Sequence, residues 1–200
     1  MIYKIADNIL SPLGETTAQN YEAVKAGRSV NLTQGTVPFV RNEGLTRFEA
    51  MAVKSAKRAI QEAGIDSSGN NVVLILSTTK ANIEVLSRSE ECGVRSEDPG
   101  PAHAAKRIAE ELGVVTNPIV VCNACISGVA AIILAQRLLE HRDYDYAIVC
   151  GADVLSEFTV SGFQSLKAVS EEPCRPFDIE RLGLNLGEAA ATMIFSRSEE

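Results

Sequence analysis

The feature that most constrains this chain is a change of character around one cysteine. Pro118-Ile119-Val120-Val121-Cys122-Asn123 is a short β-branched run, which reads as a buried strand over Ile119 to Asn123. Ile126 to Glu140 has no Pro and one early Gly, which reads as a helix. From Ile126 to Ala135 that helix is apolar on every side except at Ser127, and Gln136, Arg137 and Glu140 come only in its last turns. A helix apolar all round at one end is expected to have that end buried in protein. The apolar stretch of ten residues is too short to span a membrane.

Cys125 therefore sits where a strand turns into a helix, and two readings are open. A sharp turn exposes a side chain, and a helix N-terminus carries partial positive charge and unpaired N–H groups. Both favour a reactive thiolate, and the same N–H groups can hold an oxyanion during acyl transfer. The other reading is an inert buried thiol used as a small apolar residue.

The rest of the chain alternates strand and helix patterns. Ile2 to Ile9 reads as a first strand, ending at the turn Ser11-Pro12-Leu13-Gly14. Thr16 and Gln19 have capping-box spacing at the start of a short helix to Ala26. Thr46 and Glu49 repeat that spacing before the clearest amphipathic helix of the chain. There Phe48, Met51, Ala52, Ser55, Ala56, Ala59, Ile60 and Ala63 form the inner stripe, and Gly64 stops it. Val72 to Leu76 is an unbroken apolar strand of the kind covered on both faces. A helix over Ala102 to Leu112 follows a polar stretch. Tyr146 to Cys150 reads as a strand closed by Gly151, a helix is expected near Phe158 to Ala168, and Ala191 to Ser196 is the last strand. Five strands alternating with helices predict one α/β domain over residues 1–200, with a mainly parallel sheet and helices on both faces.

Composition narrows the function classes. With 200 residues, 46% of them hydrophobic, the chain can bury a sizeable core, roughly 70% of its unfolded surface. A net charge of −7 argues against nucleic acid as a partner. Met1-Ile2-Tyr3-Lys4 leads into a strand rather than a secretory apolar segment, and five cysteines is an odd count, so reduced thiols in a cytoplasmic protein are expected. Cys122 and Cys125 form a Cys-x-x-Cys, but only Cys125 reaches the helix, and no second ligand pair accompanies them. No metal or organic cofactor is implied. Cys92, Cys150 and Cys174 read as structural.

Asn123-Ala124-Cys125-Ile126-Ser127-Gly128 resembles the nucleophile motif of the β-ketoacyl-acyl-carrier-protein synthase family. The resemblance extends over nearly the whole chain. It takes in Ser11-Pro12-Leu13-Gly14 and Cys150-Gly151-Ala152-Asp153, the latter departing from the family's Gly-Gly-Ala-Glu at its first and last positions. It continues through Gly162-Phe163, Leu166-Lys167-Ala168-Val169-Ser170 and Cys174-Arg175-Pro176-Phe177-Asp178, with Arg181 and Gly183. It ends at Gly187-Glu188-Ala189-Ala190, where Ala189 replaces a glycine.

The resemblance implies one half of a thiolase-type fold, with a mixed, mainly parallel five-stranded sheet. It implies an acyltransferase of fatty-acid or polyketide-type biosynthesis, with Cys125 as the nucleophile of a decarboxylative condensation between an acyl thioester and malonyl-carrier protein. In the family two histidines, a lysine and a phenylalanine gate come from a second half, which this sequence does not match. His141 is one helix length, roughly 22 Å, from Cys125, and His103 opens a surface-type helix. The chain alone is therefore expected to lack condensation activity. An alternative is a non-catalytic ketosynthase partner subunit of the chain-length-factor kind, in which the cysteine is typically replaced. A thioredoxin-like redox protein is a third. The partners implied are an acyl carrier protein and a second subunit, as a homodimer or a heterodimer with a related chain, paired through the Ile119 strand. Arg41, Arg47, Lys54, Lys57 and Arg58 are a candidate basic patch for an acidic carrier.

Overall fold

In the computed structural model, which describes residues 1–30, 36–37, 44–86 and 98–198, β2 (Val72–Ser77) is flanked by β4 (Tyr146–Asp153) and β3 (Ile119–Val121), both parallel to it. β5 (Ala189–Ser196) lies on the far side of β4, and β1 (Tyr3–Leu10) closes that edge. The order is β1-β5-β4-β2-β3. β5 runs antiparallel to both neighbours, so the other four strands share one direction. The sheet is thus mixed, as the resemblance implies, with four of its five strands running in one direction.

Helices cover both faces. α2 (Arg47–Ala63) and α3 (Pro101–Leu112) pack on one face, where Phe48, Met51 and Ile108 meet Leu74, Leu76 and Ile148. α4 (Ser127–Glu140) packs on the other, where Ala131, Ala135 and Leu139 meet Val73, Ile75 and Val149. The alternate residues of β2 go to the two cores, which is why that strand is apolar at every position from Val72 to Leu76. Fully burying a side chain such as Phe48 contributes about 1.5–3 kcal/mol.

The caps behave largely as the sequence suggests. At α2, Thr46 Oγ1 accepts from Glu49 N and Glu49 Oε2 accepts from Thr46 N, and Gly64 takes the left-handed conformation (φ 67°) that ends the helix. At α1 (Thr17–Lys25) only half the box forms: Thr16 caps Gln19 N, while the Gln19 side chain accepts from Glu15 N instead of Thr16 N. Glu49 is fully buried yet satisfied, taking Asn82 Nδ2 at 2.8 Å and Arg107 Nε at 3.4 Å.

Four expectations change. β3 stops at Val121, and its residues are only half-buried, because it is an edge strand paired on one side to β2. The helix after it begins at Ser127, preceded by a 3-10 turn over Ala124–Ile126. α4 is not buried all round: Ile126, Val129 and Ile133 are 52%, 55% and 44% exposed along one outer stripe. β4 runs through Gly151 to Asp153, because β5 continues to pair with it as far as Ala189.

Candidate active site

β2, β3 and β4 are parallel, so their C-terminal ends open on one edge of the sheet, where open α/β sheets place their ligand sites. Cys125 lies on that edge. β3 delivers the chain to Cys122 and Asn123, the backbone reverses at Ala124 in a left-handed conformation (φ 46°), and Ile126 N donates to Asn123 O at 3.1 Å. Such a conformation is uncommon for a residue with a Cβ and is worth roughly 1–2 kcal/mol of strain. Ser127 holds it. Its buried Oγ accepts from Asn123 N at 2.8 Å and donates to Ala124 O at 2.7 Å. One hydroxyl therefore clasps the backbone on the strand side of Cys125 and ties it to the first residue of α4. The thiol itself is exposed. Directly after it, the N-terminus of a 14-residue helix favours negative charge.

The same edge carries a polar bridge that sequence reasoning missed. Asp153, ending β4, accepts from Thr78 Oγ1 at 3.1 Å, Thr79 Oγ1 at 3.1 Å and Thr79 N at 3.4 Å. Thr79 O in turn accepts from the Cys122 thiol at 3.5 Å, and Thr78 N donates to Val121 O at 3.3 Å. The sequence signals for this were Asp153 at the end of the Cys150-Gly151-Ala152-Asp153 motif and the pair of threonines following an apolar strand, with nothing local to join them.

The family model described as "Beta-ketoacyl synthase, N-terminal domain" matches residues 11–200. The chain belongs to this family. The family comprises ketosynthase-type condensing enzymes of fatty-acid and polyketide synthesis. Among curated relatives, the chain is 26% identical over 169 residues to Nodulation protein E of Rhizobium sp. (strain N33), covering 78% of this chain and 42% of that protein. It is 26% identical to 3-oxoacyl-[acyl-carrier-protein] synthase 2 of Vibrio cholerae, covering 96% and 56%. The chain thus spans about half the length of the curated relatives it matches. Among solved structures, a beta-ketoacyl synthase from Burkholderia phymatum superposes with a TM-score of 0.83 at 20% identity, covering 99% of this chain and 59% of that one. A ketosynthase solved in complex with its chain length factor, from Xenorhabdus doucetiae, gives 0.83 at 22% identity, covering 100% and 58%. At these identities the structural likeness establishes the thiolase-type ketosynthase fold.

With the family in hand, the other predicted residues fall into place. Glu188, from the Gly187-Glu188 motif, is 4% exposed and accepts from Val37 N at 2.6 Å, from Leu155 N at 3.2 Å and from the Arg47 guanidinium. It joins the start of α2 to the segment after β4. Arg47 is consequently committed to an internal ion pair and is withdrawn from the expected basic patch. Lys54 pairs with Glu15 at 2.8 Å and Lys57 with Glu111 at 3.8 Å, which also reduces that patch; Arg41 lies outside the described residues. Gly183 in the Arg181-Leu182-Gly183 stretch is required by crowding: a Cβ there would lie 2.8 Å from Ala168 O.

His103 sits in the first turn of α3, on the sheet face opposite α4, and His141 caps the far end of α4. His141 is thus a helix length from Cys125. Cys150 is fully buried in β4, and burial pushes its thiol up to about 11, so it is inert near neutral pH. Cys174 is exposed, and Cys92 lies outside the described residues. Among the described residues no group of three His, Cys, Asp or Glu side chains could hold a metal ion, and no helix is long and apolar enough to cross a membrane.

Proposed function

We propose that Cys125 is the acyl-accepting nucleophile of a decarboxylative condensing enzyme, and that residues 1–200 form its cysteine-bearing domain. The observation that carries this is the exposed thiol on the Ser127-clasped turn, at the N-terminus of α4 and on the C-terminal edge of the sheet. The Cys125 thiolate attacks the carbonyl of an acyl-carrier thioester, and the carrier thiol leaves as the new thioester forms. Malonyl-carrier then loses carbon dioxide, its carbanion attacks the Cys125 thioester, and the ketoacyl-carrier departs as the cysteine thiolate is released. The Cys125 N–H is one oxyanion donor at each tetrahedral stage. The second donor and the histidines that promote decarboxylation are not supplied by His103 or His141. The chain alone is therefore expected to take up an acyl group without forming ketoacyl product.

Labelling with a thiol-directed ketosynthase inhibitor such as cerulenin, read by peptide mass spectrometry, tests the assignment. The adduct should be lost in Cys125→Ala and kept in Cys122→Ala. Equal labelling of the exposed cysteines would remove it.

The partners follow from the same reading: an acyl carrier protein that brings the thioester, and a second subunit. β3 supports the latter, being a half-buried edge strand without charge or Pro among Ile119, Val120 and Val121. An open apolar edge favours pairing with a copy across a two-fold axis. Sedimentation velocity at micromolar concentration should show a dimer, and a clean monomer would eliminate the β3 pairing.

A further inference from the structure

We propose that Asp153 is a positioning residue for the Cys125 turn, acting through Thr78 and Thr79. The inference rests on the reading of Cys125 as the nucleophile. The strand that delivers Cys125 is weakly held: β3 has three residues, lies at the sheet edge, and has only the pairs Ile75↔Ile119, Leu76↔Val120 and Ser77↔Val121 with β2. Ser127 fixes the turn to α4, but not to the sheet. The tie to the sheet beyond the last ladder pair is made by the segment after β2. Thr78 N donates to Val121 O, and Thr79 O receives the Cys122 thiol.

That segment is itself fixed from β4. Asp153 takes both threonine hydroxyls and the Thr79 amide, and Thr78 Oγ1 also accepts from Ala81 N at 3.0 Å, which shapes the left-handed turn at Ala81 (φ 47°). β4 is paired with β5 over all of Tyr146 to Asp153 and with β2 from Tyr146 to Gly151, so Asp153 projects from a strand anchored at the interior of the sheet and is itself paired to Ala189. A continuous path of hydrogen bonds therefore runs from β4 across the end of β2 to the two residues that precede the turn. A carboxylate suits this task because it only accepts, and three donors converge on it. An amide in its place would present an N–H to one threonine, and a threonine lacking its hydroxyl would leave part of the carboxylate unmatched.

The consequence is a specific loss of preorganisation at Cys125. With Asp153→Asn or Thr79→Val the turn samples more orientations, and the thiolate spends less time against the α4 N-terminus. We expect iodoacetamide alkylation of Cys125 to slow about fivefold, the scale of one hydrogen bond. Asp153→Glu should restore the rate. Cys174, exposed and outside this path, serves as the internal reference in the same peptide digest. The measurement uses the whole purified protein, with melting temperature recorded for each variant.

Slowing at Cys125 but not Cys174, with recovery in Asp153→Glu, supports the proposal. If Cys125 reacts faster than Cys174 in the wild type and equally fast in both variants, the proposal is overturned while the nucleophile reading stands. If wild-type Cys125 reacts no faster than Cys174, the nucleophile reading fails and the proposal with it. Equal changes at both cysteines, or a fall in melting temperature that tracks the rate, would mean general loosening and overturn a positioning role.

Discussion

α2 and α4 cover opposite faces of one sheet, yet they use apolar surface in opposite ways. α2 buries nine of its 17 residues, whereas the more apolar α4 buries four of its 14. The difference lies in what packs on them. α2 is wedged between the sheet and α3, so even Ala50 and Val53, outside its predicted stripe, are enclosed. α4 touches the sheet along Ala131, Ala135 and Leu139 and leaves Ile126, Val129 and Ile133 in the open. A helix sequence records every surface that it must satisfy. For α2 the described residues supply all of them, and for α4 they supply one. An outer apolar stripe of this kind is the usual mark of a contact surface.

The contrast can be broken by comparing the two sides directly. Phe48→Ala removes a fully buried ring from the α2 side and should cost about 3–5 kcal/mol in urea unfolding. A loss under about 1 kcal/mol would mean that α2 is not packed as described.

The next effect is a pH dependence on the same side. Cys150 is held protonated up to about 11, against an ordinary thiol near 9.0 in the unfolded chain, because burial disfavours the thiolate. Between these values the unfolded state binds fewer protons than the folded one, so stability falls as pH rises. It is undiminished below pH 9 and declines towards pH 11. The loss between neutral pH and pH 10.5 should be roughly 2 kcal/mol larger in wild type than in Cys150→Ala. Matching curves for the two would refute the burial of that thiol.

The smallest effect belongs to α4. Ile133→Ser, on the open stripe, should change the unfolding free energy of the chain by no more than about 0.5 kcal/mol. A loss approaching that of Phe48→Ala would show that the stripe is covered, and would identify the covering contact as a contributor to stability.

Much of the fold was legible because its signals are local. The period of α2, its reciprocal Thr46 and Glu49 cap and the terminating Gly64 are all set within one segment, and each is found as expected. The unbroken Val72 to Leu76 run identified a strand covered twice. The errors arose where an element's environment depends on distant chain. The residues of β3 read as buried, yet they are only half-buried; its edge position agrees with the pairing through the Ile119 strand that the resemblance implied. Apolarity all round α4 could not reveal which sides are covered here. At the site, the motifs contained Cys125, Ser127 and Asp153, but nothing local shows that the Ser127 hydroxyl clasps the turn or that Asp153 meets Thr78 and Thr79 across the end of β2. Arg47 was read as a surface cation because nothing local announces that Glu188, so far along the chain, closes on it.

The placement of β5 has a consequence for how the chain acquires its shape. The last strand in sequence sits inside the sheet, between the first strand and β4, so that Tyr3 pairs with Ser196 and Asp153 with Ala189. β1 has no strand partner until residues 189–196 arrive, and β4 must wait with one side open. Pairings of such long sequence separation form slowly, because loop closure precedes any gain from contact. During synthesis β1 emerges well before β5, and its open edge is available to other chains in the interval. The ribosome thus delivers these strands in an order at odds with the one the sheet requires, and a chain cut before residue 189 would leave β1 with no strand to join it to the rest.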